Sequence, residues 1–185
     1  LIKARQSPVH KEWVLLLKDQ IMANIHINIG SNQNRELNIS TAIDMLRFNF
    51  SDIELSDVYE SPAQGFKGDD FYNVGVNATT NLNVFDTSDV LKNIEDKIGR
   101  DRNQPKFSSR QIDLDLVLYD DVIDESANLP RDDILKYAFV LAPLAELNAE
   151  LIHPVEQRSY QVLWLGFQSS NTFDLSQYNI GQVLK

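Results

Sequence analysis

The order of apolar periodicities predicts an α+β domain of the ferredoxin-like kind, a split β-α-β sandwich whose antiparallel sheet is covered by helices. Two observations carry this. Short runs of alternating apolar residues recur at 25–29, 53–59, 72–78 and 112–118, as half-buried strands require. Helical-period stripes separate the first run from the second and the third from the fourth. A chain of 185 residues suits a single domain of this size. Such a domain buries roughly 70% of its unfolded surface and needs no staple. That agrees with a cysteine count of zero, which removes thiol catalysis, disulfide scaffolds and zinc ribbons.

Each element has its own justification. Ile25, Ile27 and Ile29 face one way along the first strand, and His26 alternates with them; Gly30-Ser31-Asn32 ends it. Leu37, Ile39, Ala42, Ile43 and Leu46 trace a helical stripe. Ile53 to Tyr59 reads as a second strand, and Ser61 to Asp70, with Pro62, Gly65 and Gly68, as a loop. Tyr72, Val74, Val76 and Ala78 form the core face of a third strand. Val90, Leu91, Ile94 and Ile98 predict a helix over 86–98 that stops at Gly99. Ile112, Leu114, Leu116 and Leu118 alternate as a fourth strand. A further helix is expected over Ala138–Leu147, packing through Phe139, Leu141 and Leu144, and the remainder reads as a tail containing His153. No histidine is assigned a catalytic role.

Residues 1–21 differ in character. They are locally basic and carry Trp13, Leu16, Leu17 and Ile21 at near-helical spacing. They read as an N-terminal extension ahead of a domain spanning 22–185, with a partner-binding amphipathic helix as the other reading. No apolar run near the start is long enough for a signal-peptide core or a spanning helix, so a soluble cytoplasmic protein is the expectation. The net charge of −10 argues against nucleic acid as a partner.

The sharpest chemical signal is Asp113-Leu114-Asp115-Leu116. Alternation places both carboxylates on one strand face, roughly 7 Å apart. Such a pair repels unless a cation sits with it, and Mg²⁺ takes oxygen ligands while keeping waters that a phosphate can displace. Lys92, Lys97, Arg100, Arg102, Lys106 and Arg110 collect just ahead of the aspartates in an otherwise acidic chain. Guanidinium forks suit phosphate oxygens. On the third strand Phe71 and Asn73 point away from the core face, an aromatic ring beside an amide that can read a flat heterocycle. Gly30-Ser31-Asn32 lacks the Lys-Ser/Thr of a phosphate-binding Walker loop.

Taken in order, these motifs resemble the 6-hydroxymethyl-7,8-dihydropterin pyrophosphokinase family. The likeness covers about Ile25 to Pro154. It includes Ile29-Gly30-Ser31-Asn32, Ser61-Pro62, Phe71-Tyr72-Asn73, Gly99-Arg100-Asp101-Arg102, Arg110-Gln111-Ile112-Asp113-Leu114-Asp115-Leu116, Leu129-Pro130 and Ala138-Phe139-Val140-Leu141. The resemblance implies an enzyme that moves the β,γ-pyrophosphoryl group of ATP to the hydroxymethyl oxygen of the pterin in folate biosynthesis. Its implied partners are small molecules, with neither nucleic acid nor membrane. By the same resemblance Asp113 and Asp115 hold two Mg²⁺ ions, and Arg100 and Arg110 act with them in catalysis. Glu95, Arg100, Arg102, Arg110 and Arg131 serve ATP; Ser61, Pro62, Phe71, Asn73 and Phe139 serve the pterin. The chain departs from the family pattern at Lys92, Phe107, Ser108-Ser109, Arg131 and Tyr137, all on the ATP side. Arg131 is expected to supply the guanidinium that Tyr137 lacks. Two other readings are open, a non-catalytic pterin- or nucleotide-binding homologue and a ferredoxin-like RNA-binding domain. The charge and the lack of paired exposed aromatics on strands speak against the second.

Overall fold

A computed structural model of the chain describes residues 22–101, 103, 108–170 and 172–184. Residues 1–21, Arg102, Lys106 and Phe107 lie outside them. Strand β1 (Ala23–Ser31) runs through the sheet centre, with β4 (Phe71–Thr80) and β5 (Asp113–Tyr119) antiparallel on its two sides. Beyond β4 lie β3 (Val58–Ser61) and then β6 (Ser176–Tyr178), while β2 (Ser51–Leu55) pairs with the other end of β4. The six-stranded order is β5-β1-β4-β3-β6 with β2 beside β4, which is the expected split β-α-β sheet with an added edge.

Helices α1 (Arg35–Asn49) and α2 (Val84–Ile98) close one face over Ile25, Ile27, Ile29, Val74 and Val76. α2 begins at Asn83, whose side chain accepts the Asp86 N–H, and ends at Gly99 with φ 99°. On the opposite face α3 (Ala138–Leu147) and α4 (Tyr160–Ser170) pack over Val117 and Leu118. A β-carbon at Gly75 would lie 2.9 Å from Cβ of Pro143, so only glycine lets α3 approach β4 this closely. No helix of the described residues is long and apolar enough to cross a membrane.

Four local expectations need correction. The strand 53–59 is two strands, broken where the buried Ser56 exchanges bonds with Gly75: its N–H donates to the Gly75 carbonyl and its Oγ accepts the Gly75 N–H. Leu37 does not join the buried stripe of α1; it is 68% exposed. Alternation along β5 fails at its end, because a register shift opposite His26/Ile27 puts Val117 and Leu118 together in the second cluster while Leu114 and Leu116 stay in the first. The expected tail is ordered structure. His153 is buried, with Nδ1 accepting the N–H groups of Val155 and Glu156, and α4, β6 and a short α5 (Ile180–Val183) follow. β6 docks on β3, and Asp57 accepts the Ile180 N–H and a proton of Gln177.

His26 is almost fully buried under α3, its Nδ1 2.8 Å from Oδ1 of Asn77. Burial lowers its pKa to about 4, against a smaller opposing pull from Asn77. An unfolded chain takes up this proton near pH 6.5, the folded chain only near 4. Its stabilisation is therefore complete above about 6.5 and declines as pH falls, by about 3 kcal/mol over the window. Urea titrations of the wild type and His26→Leu between pH 7 and 4.5 should show the wild type losing more stability. Parallel curves would assign the acid sensitivity elsewhere.

Candidate active site

On the face occupied by α3, at the end it leaves open, lies a cavity of about 560 Å³. Register builds its floor. Gly30 pairs with Asn73 on one side and Asp113 on the other, and Asn28 pairs with Gly75 and Asp115. Directly paired residues on antiparallel neighbours share a face, so the Asn73 amide, Asn28 and both carboxylates converge. A β-carbon at Gly30 would sit 3.5 Å from Asn73 Oδ1, 3.8 Å from Phe71 and 3.9 Å from Asp113 Cβ. A longer side chain there would fill the floor between amide and carboxylate.

Each aspartate meets an arginine. Arg100 Nη1 lies 2.5 Å from Asp113 Oδ1 and 3.1 Å from Glu95 Oε1, and it also donates to the Ile112 carbonyl. Arg131 Nη2 lies 3.0 Å from Asp115 Oδ1, with its Nε 2.8 Å from Asp133 Oδ2. Burial, and then the Asp113 charge, push the Asp115 carboxyl up to about 7 even with Arg131 beside it. Nε of Arg100 is buried with no hydrogen-bond partner among the described residues.

Arg100 gets its place from the end of α2. The αL turn at Gly99 lets the Arg100 N–H donate to the Glu95 carbonyl, which aims the next segment back at β5. Glu95 stands behind the cavity rather than in it. It is 4% exposed and accepts the Leu114 N–H at 2.9 Å, fixing Arg100 against the strand. Gly30-Ser31-Asn32 is a clamp. Ser31 Oγ donates to the Gln111 carbonyl, Asn32 exchanges bonds with the Arg110 backbone, and Asn32 Nδ2 donates to the Asp69 carbonyl. One buried Asn thus ties the loops before β4 and β5 to the end of β1. Arg110 lines the cavity; Arg102 lies outside the described residues.

The other half of the cavity is aromatic. Phe71 and Phe139 both line it, Phe71 edge-on to Phe66 at 6.3 Å and Phe139 stacked on Tyr137 at 5.0 Å. Nδ2 of the buried Asn73 donates to the Tyr59 carbonyl and to Ser61 Oγ, which leaves Oδ1 as the atom for a ligand's donor. Ser61 therefore orients Asn73, and Pro62 stands in the wall.

The described residues assigned to metal, ATP or pterin fall in or directly behind this one cavity, whereas Lys92 and Lys97 of the expected cationic cluster do not line it, and Lys92 pairs with Asp89 on the exposed side of α2. Sequence reasoning missed the Asp133 contact that holds Arg131, the aromatic wall added by Tyr137, and Asn28, which no motif singles out. Arg131 is engaged by Asp115 and Asp133, so in this structure it stands on the carboxylates. A second cavity of about 680 Å³, lined by Asn24, His26, Asp52, Asn77 and Tyr160 among others, contains neither the aspartate pair nor an arginine.

Residues 26–149 match the family of 7,8-dihydro-6-hydroxymethylpterin-pyrophosphokinase, HPPK. The chain is 33% identical over 142 residues to the 2-amino-4-hydroxy-6-hydroxymethyldihydropteridine pyrophosphokinase of Aquifex aeolicus, covering 74% of this chain and 88% of the relative. The Bacillus subtilis protein of the same name is 32% identical over 133 residues, covering 68% and 79%. The Arabidopsis thaliana folate synthesis bifunctional protein is 30% identical over 136 residues, 71% of this chain but only 28% of that one. A crystal structure of Plasmodium falciparum HPPK-DHPS superposes with a TM-score of 0.68 at 14% identity, covering 84% of this chain and 47% of the larger one. That likeness is one of fold. With a family match over most of the domain and relatives above 30% identity, the chain belongs to the 7,8-dihydro-6-hydroxymethylpterin-pyrophosphokinase family.

Proposed function

We propose that the chain transfers the β,γ-pyrophosphoryl group of ATP to the hydroxymethyl oxygen of 6-hydroxymethyl-7,8-dihydropterin, releasing AMP, as a step of folate biosynthesis. The observation that carries this reading is the Asp113/Asp115 pair at the seam of one cavity, with arginines on one side and an aromatic slot on the other.

The carboxylates fit Mg²⁺. Burial and mutual repulsion raise Asp115, as expected of a pair awaiting a cation. Among the described residues no third acidic, His or Cys side chain completes a protein cage. That donor set suits an ion that keeps water and phosphate ligands. Asp113 and Asp115 would hold it, and when bound it would supply charge neutralisation for the polyphosphate. Arg100 and Arg131 pair with these same carboxylates, so arriving polyphosphate oxygens compete for guanidinium groups already aimed into the cavity. Arg110, and Arg102 on the adjoining segment, would extend the same surface, with Glu95 holding Arg100 in place.

Phe71 and Phe139 would stack on the pterin while Asn73 Oδ1 accepts from its ring N–H or amino group. The acceptor hydroxyl is then brought to the carboxylate end of the slot. Its oxygen forms a bond to the β-phosphorus and gives up its proton to solvent as the bond from that phosphorus to the α,β-bridging oxygen breaks, and AMP leaves with the bridging oxygen. The protein's contribution is positioning and electrostatic stabilisation.

AMP formation from ATP, Mg²⁺ and the pterin tests the activity. Binding of both ligands with no AMP would support a non-catalytic homologue instead, the reading favoured by Arg131 on Asp115. Phe71→Ala tests the slot: stacking on an aromatic is worth about 1–3 kcal/mol, so pterin affinity should fall about ten- to a hundredfold. Affinity for an ATP analogue should hardly change in the same calorimetric series. Equal losses would make Phe71 structural.

A further inference from the structure

Asn28 is the one polar side chain of the cavity floor that neither the motifs nor the family likeness assigned. It is 6% exposed, lines the cavity, and sits directly across from Asp115 on one side and the bare Gly75 on the other. Its Oδ1 is wholly buried and has no hydrogen-bond partner among the described residues, although the neighbouring floor amide, Asn73, is bonded to both Tyr59 and Ser61. A buried amide oxygen with no donor costs stability, and an apolar side chain of the same shape would avoid that cost. Such an atom points to a ligand that satisfies it. Facing β-carbons on paired antiparallel strands lie about 4.5–5.5 Å apart, so Asn28 and Asp115 can reach a common point above the sheet. Asp113, two residues along the same face, reaches it as well. The two ends of the amide have the same shape, and rotation about its terminal torsion is soft, so the oxygen can be turned toward that point.

We propose that Asn28 Oδ1 is a third protein oxygen, beside Asp113 and Asp115, for the divalent cation of this site, bound to the ion or to one of its waters. Two carboxylates and an amide oxygen form an all-oxygen set of the kind that Mg²⁺ and Mn²⁺ take. The inference rests on the assignment of the aspartate pair as the cation site.

The test is Mn²⁺ binding, read from the loss of the free-ion resonance as protein is titrated, together with thermal unfolding without metal. Asn28→Leu, Asn28→Asp and Asp115→Asn are compared with the wild type. Asn28→Leu should weaken Mn²⁺ about tenfold while its metal-free melting temperature is equal to or above that of the wild type. Asn28→Asp should bind Mn²⁺ more tightly than the wild type, since it adds a charge to the same oxygen position. If Asp115→Asn weakens Mn²⁺ but both Asn28 variants bind like the wild type, the role of Asn28 is refuted and the aspartate site stands. If Asp115→Asn leaves Mn²⁺ affinity unchanged, the site assignment and the inference fall together. An Asn28→Leu protein that melts well below the wild type would show that Asn28 is structural, and would also overturn the proposal.

Discussion

Asp113→Asn and Asp115→Asn are each expected to lower the rate of AMP formation by about a thousandfold or more, close to 4 kcal/mol of lost transition-state stabilisation. The amide keeps the shape of the carboxylate and removes its charge. The two variants should differ in stability. Asp115 is raised to about 7 in the folded chain, by burial first and the Asp113 charge second, against an unfolded value near 4. Between those pH values the folded state holds a proton that the unfolded state has released, so the contribution of Asp115 to stability without metal falls as pH rises toward neutrality, opposite in sign to that of His26. Asp115→Asn has no proton to lose there and should show a flatter profile, becoming relatively more stable as pH increases. Chemical denaturation in chelator at pH 5, 6, 7 and 8 measures this. AMP release near the wild-type rate by either variant at saturating Mg²⁺ would end the metal assignment.

Legibility in the sequence followed the range of each interaction. The core strands and α1 to α3 were legible because burial of one face imposes a period on nearby residues, and Ile25, Ile27 and Ile29 show it unmixed. The αL stop at Gly99 was legible because only one residue type takes that backbone easily. The bulge that turns Leu118 to the other layer was not, since a single inserted residue leaves the apolar pattern looking regular. Nor was the C-terminal edge. The pairing of β6 with β3 spans more than a hundred residues, and all three residues of β6 are exposed, so no periodicity announces it. In the site, Asp113, Asp115, Phe71 and Asn73 were readable as types at spacings. The partners that tune them were not. Arg131 on Asp115, Glu95 behind Arg100 and Asn28 across from Asp115 are meetings of separate elements, fixed by register and helix ends.

Arg100→Met should be among the most destabilising single changes in the domain, costing about 3–5 kcal/mol, because it removes one partner of a buried ion pair instead of a surface pair. The Arg100 side chain is 14% exposed and that of Glu95 is 5% exposed, and the guanidinium joins Glu95 to Asp113 while donating to the Ile112 carbonyl. Met matches the stem of Arg and takes the Arg100 guanidinium away from the buried Glu95 carboxyl between α2 and β5. Glu95 cannot turn to water without giving up the Leu114 N–H. Replacing it by Gln keeps an oxygen for that N–H and removes the charge. The double variant Arg100→Met/Glu95→Gln should therefore recover at least half of the loss, a coupling that additive effects would not produce. Urea denaturation of the four proteins completes the cycle, and turnover should remain low in both Arg100 variants because no guanidinium is left there for phosphate. A cost below about 1 kcal/mol for Arg100→Met, with no recovery in the double variant, would place the pair in the range of solvated surface bridges. Glu95 would then have no part in holding the arginine beside Asp113.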